Sequence, residues 1–470
     1  MTISKLSRVI SKSQLSRIAG LLKMRDNPDF VTAGTTNAAP FHANATPRCF
    51  KNLTADHRRF FGASPSADSD EPRLKLSRFF RKNESEIAKS GVLRVTQPVT
   101  WKYHHFYVNQ GYSSRHVSVW LYGAAGLILL MISIGGYTRL TRSGLSMTRW
   151  KPVGYRYPAS PEQWDEEFGL YKLYPEFAAN PSITMAEFKR IFNVEFVHRL
   201  TGNVIGLYFA LPMLFFWKKG YFTRQMKVRS SVLLFMGGVQ GLIGWWMVKS
   251  GLDPKPEYQS RPRVSTYRLV AHNFVAVCLY YYVLYLAIRV GKPVRVLAGL
   301  SERAAVGSVR RAAMVAMHAI VFNIITGAMT AGIDAGKVFN TWPLMNGSLL
   351  PPGYWKPELG LRNFFENLAN VQFNHRAVAY FTFASVCSML FLVVKPGVPR
   401  NLKIAMSLLV GFTNLQVVLG VWMLLQSVPV EKGVAHQLNG MVVLSLVVYL
   451  LAATSKKSFA LSLRANSSAI

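Results

Sequence analysis

The chain has 470 residues, half of them hydrophobic and only 16% charged, with a mean hydropathy of +0.18. That balance excludes an ordinary soluble domain, which carries more charge, and fits a polytopic membrane protein. The net charge of +33 does not mark a nucleic-acid binder, because Lys and Arg gather in a leader and in short loops between apolar runs, the pattern of membrane topology.

The leader comes first. Lys5, Arg8, Lys12, Arg17, Lys23 and Arg25 precede the first acid, Asp26, in a stretch rich in Ser and Leu. It lacks the continuous apolar core of a secretory signal and has the composition of a mitochondrial transit peptide. Residues 1–110 are therefore expected to be a targeting sequence and a flexible matrix extension. Three cysteines occur: Cys49 in the leader, Cys278 and Cys387 inside apolar runs. No CxxCH is present, which argues against a covalently attached c-type haem, and no disulfide framework is readable from the three cysteines.

Eight apolar runs follow, at roughly 117–137, 196–217, 229–249, 267–289, 311–332, 372–394, 403–426 and 434–454, each near the roughly 20 residues that span a bilayer. Short basic loops separate them in alternation. Lys218, Lys219, Arg224, Lys227 and Arg229 lie between runs two and three; Arg289, Lys292, Arg295, Arg303, Arg310 and Arg311 between four and five; Lys395, Arg400 and Lys403 between six and seven. Lys456 and Lys457 follow run eight. The positive-inside rule puts these loops and both termini on the matrix side. The other loops, at about 138–195, 250–266, 333–371 and 427–433, then face the intermembrane space.

The membrane part is written twice. Val194–Arg199 reads VEFVHR and Val371–Arg376 reads VQFNHR; Gln240–Trp246 answers Gln416–Trp422; Val270–Asn273 answers Val434–Gln437. Each copy holds an even number of spans, so both enter from the same side. The expected fold is all-α: eight transmembrane helices as two parallel-repeat four-helix bundles, related by a pseudo-twofold axis along the membrane normal. The halves are residues 111–290 and 309–456, with 457–470 as a matrix tail.

His198, His272, His375 and His436 fall at repeat-equivalent places, within the first turn or two of runs two, four, six and eight. All four are expected at one depth near the outer leaflet, facing inward. Paired neutral imidazoles are suited to axial ligation of haem iron. Zinc or copper fits less well, since no Cys or carboxylate cluster accompanies the histidines. Glu195 stands three residues before His198, on the same helix face; the second copy has Gln372 before His375. Glu can transfer protons and Gln cannot, which points to chemistry in the first half. A helix-start carboxylate favoured by the helix dipole is the plainer reading of the same residue. Arg199, Arg376, Arg139 and Arg142 are candidates to pair with haem propionates, or are ordinary interfacial arginines.

The segment Gly135–Ser146, reading GGYTRLTRSGLS, and Glu195–Asn203, reading EFVHRLTGN, resemble the haem A synthase family. The resemblance covers roughly residues 115–455 and is to the mitochondrial type; the cysteine pair of the bacterial outer loop is not matched. It implies oxidation of a methyl group of haem O to a formyl group, giving haem A for cytochrome c oxidase. It implies a resident haem b on His375 and His436, near Arg376. Substrate haem O and product haem A would sit at His198 and His272, near Arg199, Arg139 and Arg142. Glu195 falls on the family's catalytic carboxylate position. Ferredoxin with its reductase is the implied electron donor. Haem O synthase, cytochrome c oxidase assembly factors and a second copy of the chain are compatible partners. A non-enzymatic dihaem electron-transfer cytochrome and a haem carrier are the competing readings.

Overall fold

The computed structural model describes residues 106–150, 155–253, 262–291, 295–297, 300–455 and 459–461. The targeting and extension readings for residues 1–105 lie outside the described residues, as do Lys292, Lys456 and Lys457. In chain order the helices are α1 (Ser114–Leu140), α2 (Pro161–Tyr171), α3 (Pro175–Ala179), α4 (Met185–Lys218), α5 (Arg224–Leu252) and α6 (Thr266–Gly291). There follow α7 (Leu300–Gly332), α8 (Asn363–Glu366), α9 (Leu368–Cys387), α10 (Leu390–Val393), α11 (Arg400–Leu425) and α12 (Val430–Ala453). Three-residue strands at Arg295–Leu297 and Phe459–Leu461 pair in parallel.

Among the described residues, eight helices are long and apolar enough to cross a membrane: α1, α4, α5, α6, α7, α9 continued by α10, α11 and α12. Each expected apolar run has its helix. The ends differ where polar residues extend a helix beyond the apolar stretch. α4 starts at Met185, well ahead of residue 196, because Thr184 and Glu187 form a reciprocal capping box. His198 is consequently the fourteenth residue of its helix, whereas His272, His375 and His436 are the seventh, eighth and seventh of theirs. α7 starts at Leu300, so Arg303, Arg310 and Arg311 are helical instead of lying in a loop.

Within the first half, α1 packs on α4 and α6, and α5 packs on the same two helices. Within the second, α7 packs on α9 and α12, and α11 packs on those two. Each set closes a four-helix ring. The halves join where α6 meets α7 and α12, and where α12 meets α1. Val117, Leu121, Leu286, Leu409, Leu444 and Val447 are fully enclosed along these contacts. Large apolar side chains such as Leu207, Phe235 and Phe381 stay 60–70% exposed, which suits a lipid-facing surface.

The loop between α1 and α4 builds a small aromatic core of its own. Trp164, Tyr171, Phe188 and Phe192 cluster with Met147, and Trp164 meets Phe192 edge-on at 5.1 Å. Ser160 caps α2 and Pro161 opens it, fixing where this loop turns back. The loop thereby covers the end of α4 that carries Glu195.

Candidate active site

All four histidines line one cavity of about 2200 Å³ that extends through both halves. Single-ligand pockets are typically about 300–1,000 Å³, so this space is sized for more than one large ligand. His272 lies within electrostatic reach of His198, and His375 within reach of His436. The structure thus brings the first-half pair together and the second-half pair together.

Each imidazole packs against a glycine of a neighbouring helix. A Cβ at Gly135 would stand 3.3 Å from His198 Nε2, and one at Gly327 would stand 3.1 Å from His375 Cε1. A Cβ at Gly244 or Gly420 would stand 3.0 Å from Cε1 of His272 or His436. These four glycines are matched between the repeats. A side chain at any of them would push the ring from its place, so the glycine is needed for close approach.

Polar neighbours fix the rings further. Gln240 Nε2 lies 3.2 Å from His272 Nδ1 and donates to the His272 carbonyl at 3.0 Å. Its counterpart Gln416 lies 3.1 Å from His436 Nε2 and is itself held by Asn439 at 2.7 Å. Thr326 Oγ1 lies 3.0 Å from His375 Nδ1. His198 has no hydroxyl at that place; Glu195 Oε2 lies 3.8 Å from its Nδ1. The Gln240 and Gln416 motifs were visible as a repeat, yet their role as neighbours of the histidines was not. The signal was there: each stands four residues before a glycine, on the helix facing the second histidine of its pair.

Glu195 is 3% exposed, and its Oε1 accepts from Arg199 Nε at 2.7 Å. Arg199 also donates to the Met147 carbonyl and the Arg149 carbonyl, both at 2.9 Å. In the second half Arg376 donates to the Phe339 carbonyl at 2.8 Å, and Gln372 donates to the same oxygen at 3.2 Å. Arg376 Nε and Nη1 are buried with no partner, as is His436 Nδ1. Buried donors without acceptors are rare and call for an acceptor from outside the chain.

Arg139 and Arg142 stand at the end of α1. Arg139 donates to the Ala331 carbonyl at 2.7 Å, and both guanidiniums lie 3.6 Å from Asp334, in the turn after α7. They therefore tie the two halves together while lining the cavity. Glu176, on α3, lines the same mouth with Oε2 buried and unpartnered. Burial pushes its carboxyl up to about 7, while Arg142 and Arg139 pull the other way. Sequence reading did not single out Glu176 or Asp334. Among the described residues, no group of three or more His, Cys, Asp or Glu is placed to hold a metal ion.

The sequence profile of the cytochrome oxidase assembly protein family (COX15-CtaA) matches residues 118–448, which span all eight helices. The chain belongs to this family. It is 40% identical over 339 residues to the heme A synthase COX15 of Arabidopsis thaliana, covering 72% of this chain and 74% of that one. It is 38% identical over 341 residues to the heme A synthase COX15 of Bos taurus, covering 72% and 82%. A bacterial relative, the heme A synthase of Beijerinckia indica, is 40% identical over 351 residues, covering 73% and 94%.

Proposed function

We propose that this chain is a haem A synthase of the mitochondrial inner membrane, oxidising a methyl group of haem O to the formyl group of haem A for cytochrome c oxidase. The observation that carries this is a family membership spanning both repeats, joined to a cavity where two histidine pairs differ by one ionisable carboxylate.

The second-half residues fit a resident haem b. His375 and His436 are its ligands, Gly327 and Gly420 leave room for their rings, and Thr326 and Gln416 orient them. Arg376 offers two buried free donors to a propionate. Arg139 Nε is likewise buried and unpartnered at the cavity mouth. A bound haem b supplies one-electron transfer. His198 and His272 hold haem O and its product, with Arg139 and Arg142 at the propionate end. Two successive hydroxylations of the methyl, each using one dioxygen, two electrons from the donor and two protons and releasing one water, would give the alcohol and then the hydrated aldehyde, which loses water; Glu195, beside His198, is placed to relay those protons. Gln372 cannot ionise, which keeps that chemistry in the first half.

The packing of α6 on α7 is matched by that of α12 on α1, as a pseudo-twofold axis along the membrane normal requires. Both termini are read as facing the matrix, with the histidines toward the intermembrane space. Ferredoxin with its reductase is the proposed electron donor.

The test is haem extraction and mass analysis of the purified protein, co-expressed with a haem O supply. Haem B together with haem O, its alcohol or haem A is expected. Haem B alone would overturn the enzyme reading in favour of a dihaem electron carrier.

A further inference from the structure

Arg199 and Arg376 are the same residue in the two repeats, each directly after the first histidine of its pair. Each donates to an equivalent carbonyl, Met147 or Phe339, in the segment beyond the turn that follows α1 or α7. Past that shared contact their surroundings diverge. Arg199 gives Nε to Glu195 Oε1 at 2.7 Å and Nη1 to the Arg149 carbonyl at 2.9 Å. Arg376 has Gln372 in place of Glu195, and Gln372 turns its amide onto the Phe339 carbonyl. Nε and Nη1 of Arg376 are left buried and unpartnered.

We propose that Arg199 is a positioning residue that holds Glu195 by one oxygen, and that it does not anchor a haem propionate. This replaces the propionate pairing expected for Arg199, and it rests on Glu195 being the catalytic carboxylate. A guanidinium fixed by two carbonyls has its plane set before Glu195 docks on it. Oε1 is then committed, and Oε2 alone faces His198, at 3.8 Å. A carboxylate free to rotate would share its two oxygens between the clamp and the site; a clamped one presents the same oxygen each time. Two carboxylates, Glu195 and a propionate, would also compete for one guanidinium, three of whose five N–H donors are already engaged.

The clamp reaches beyond the membrane. Arg149, whose carbonyl holds Arg199, pairs through its own side chain with Glu166 and Glu167 on α2. Ser146 donates to the Ile191 carbonyl of α4 at 3.2 Å, fastening the same loop over the helix that carries Glu195. The outer loop is thereby part of what orients the carboxylate.

The experiment compares Arg199→Gln, Arg199→Lys, Arg376→Gln, Glu195→Gln and the double variant Glu195→Gln with Arg199→Gln, all as full chains in detergent. Three readings are taken: haem b per polypeptide, the Kd for added haem O by optical titration, and turnover. Arg199→Gln is expected to keep its haem b, to hold Kd for haem O within about twofold, and to lose at least about tenfold in kcat. The double variant is expected to be no slower than Glu195→Gln, because Arg199 acts only through it. Arg376→Gln is expected to lose haem b. Should Arg199→Gln fail to retain haem b, Arg199→Lys is read in its place, with the same loss of kcat expected from its missing fork. A Kd for haem O weakened tenfold with kcat unchanged, or a double variant slower than Glu195→Gln, would overturn the proposal. Full turnover by Glu195→Gln would instead overturn the catalytic reading of Glu195.

Discussion

At the scale of single residues, the four glycines opposite the histidines set the fit of the site. Adding a methyl where a Cβ would stand 3.0 Å from His436 Cε1 leaves the ring no choice but to move. Overpacking a fitted site costs roughly 1–3 kcal/mol, about tenfold in occupancy near the lower end. Gly420→Ala is therefore expected to lower haem b content and leave haem O binding near normal, with Gly244→Ala showing the reverse. Haem analysis of both variants checks this; equal losses from both would refute the division between halves. Glu176 gives a pH prediction. Its carboxyl sits at about 7 in the folded protein because burial disfavours the charged form, above the ordinary value of about 4.3. The folded state thus binds this proton more tightly than the unfolded state. The stability it contributes is complete below about pH 4 and is lost as pH rises through about 7. Thermal unfolding of wild type against Glu176→Gln should show the wild type falling behind between pH 5 and pH 8. Parallel curves would show that Glu176 is not buried in its acid form.

The individual residues were unevenly legible. The histidine quartet could be read because the repeat displays it twice, and Glu195 because Gln372 sits in its place. The different surroundings of Arg199 and Arg376 could not be read. They depend on the carbonyls of Met147, Arg149 and Phe339 folding back onto α4 and α9, and a carbonyl leaves no trace in side-chain type. Glu176 looked like one more loop acid, because its burial is made by how α3 packs at the cavity mouth.

At the scale of elements, apolar length located all eight spans, since that is what the bilayer demands. It misjudged the start of α4, where the helix runs on through polar residues outside the apolar stretch. Thr184 and Glu187 carry that extension, donating and accepting reciprocally at 2.9 and 3.2 Å. Thr184→Ala is expected to lower stability by about 1 kcal/mol. It should also loosen the Trp164–Phe188–Phe192 cluster that rests on the same turns. A shift in tryptophan fluorescence accompanying a lower Tm would register both; an unchanged Tm would mean that the cluster alone holds the helix start.

At the scale of the whole molecule, the two halves are joined by polar bridges as well as by apolar packing. Gln437, next to His436, donates to the Ile132 carbonyl of α1 at 3.2 Å. A Cβ at Gly136 would run into Gln437. Tyr280 on α6 meets Ser445 on α12 at 2.7 Å, and Arg139 crosses to the Ala331 carbonyl. The residue following one proposed ligand of the resident haem therefore touches the helix whose Gly135 cradles His198. This unity was not legible from the repeat, which shows two copies but not how they meet. What the repeat did show is that the ionisable Glu195 of one half is answered by Gln372 in the other.

Replacing that group is the most direct measurement: haem extracted from Glu195→Gln, grown with a haem O supply, and weighed by mass. The expected result is haem B at normal content beside unconverted haem O, with haem A lower by at least about a hundredfold. Haem A at the wild-type level would contradict the assignment of the chemistry to Glu195 and to the first half.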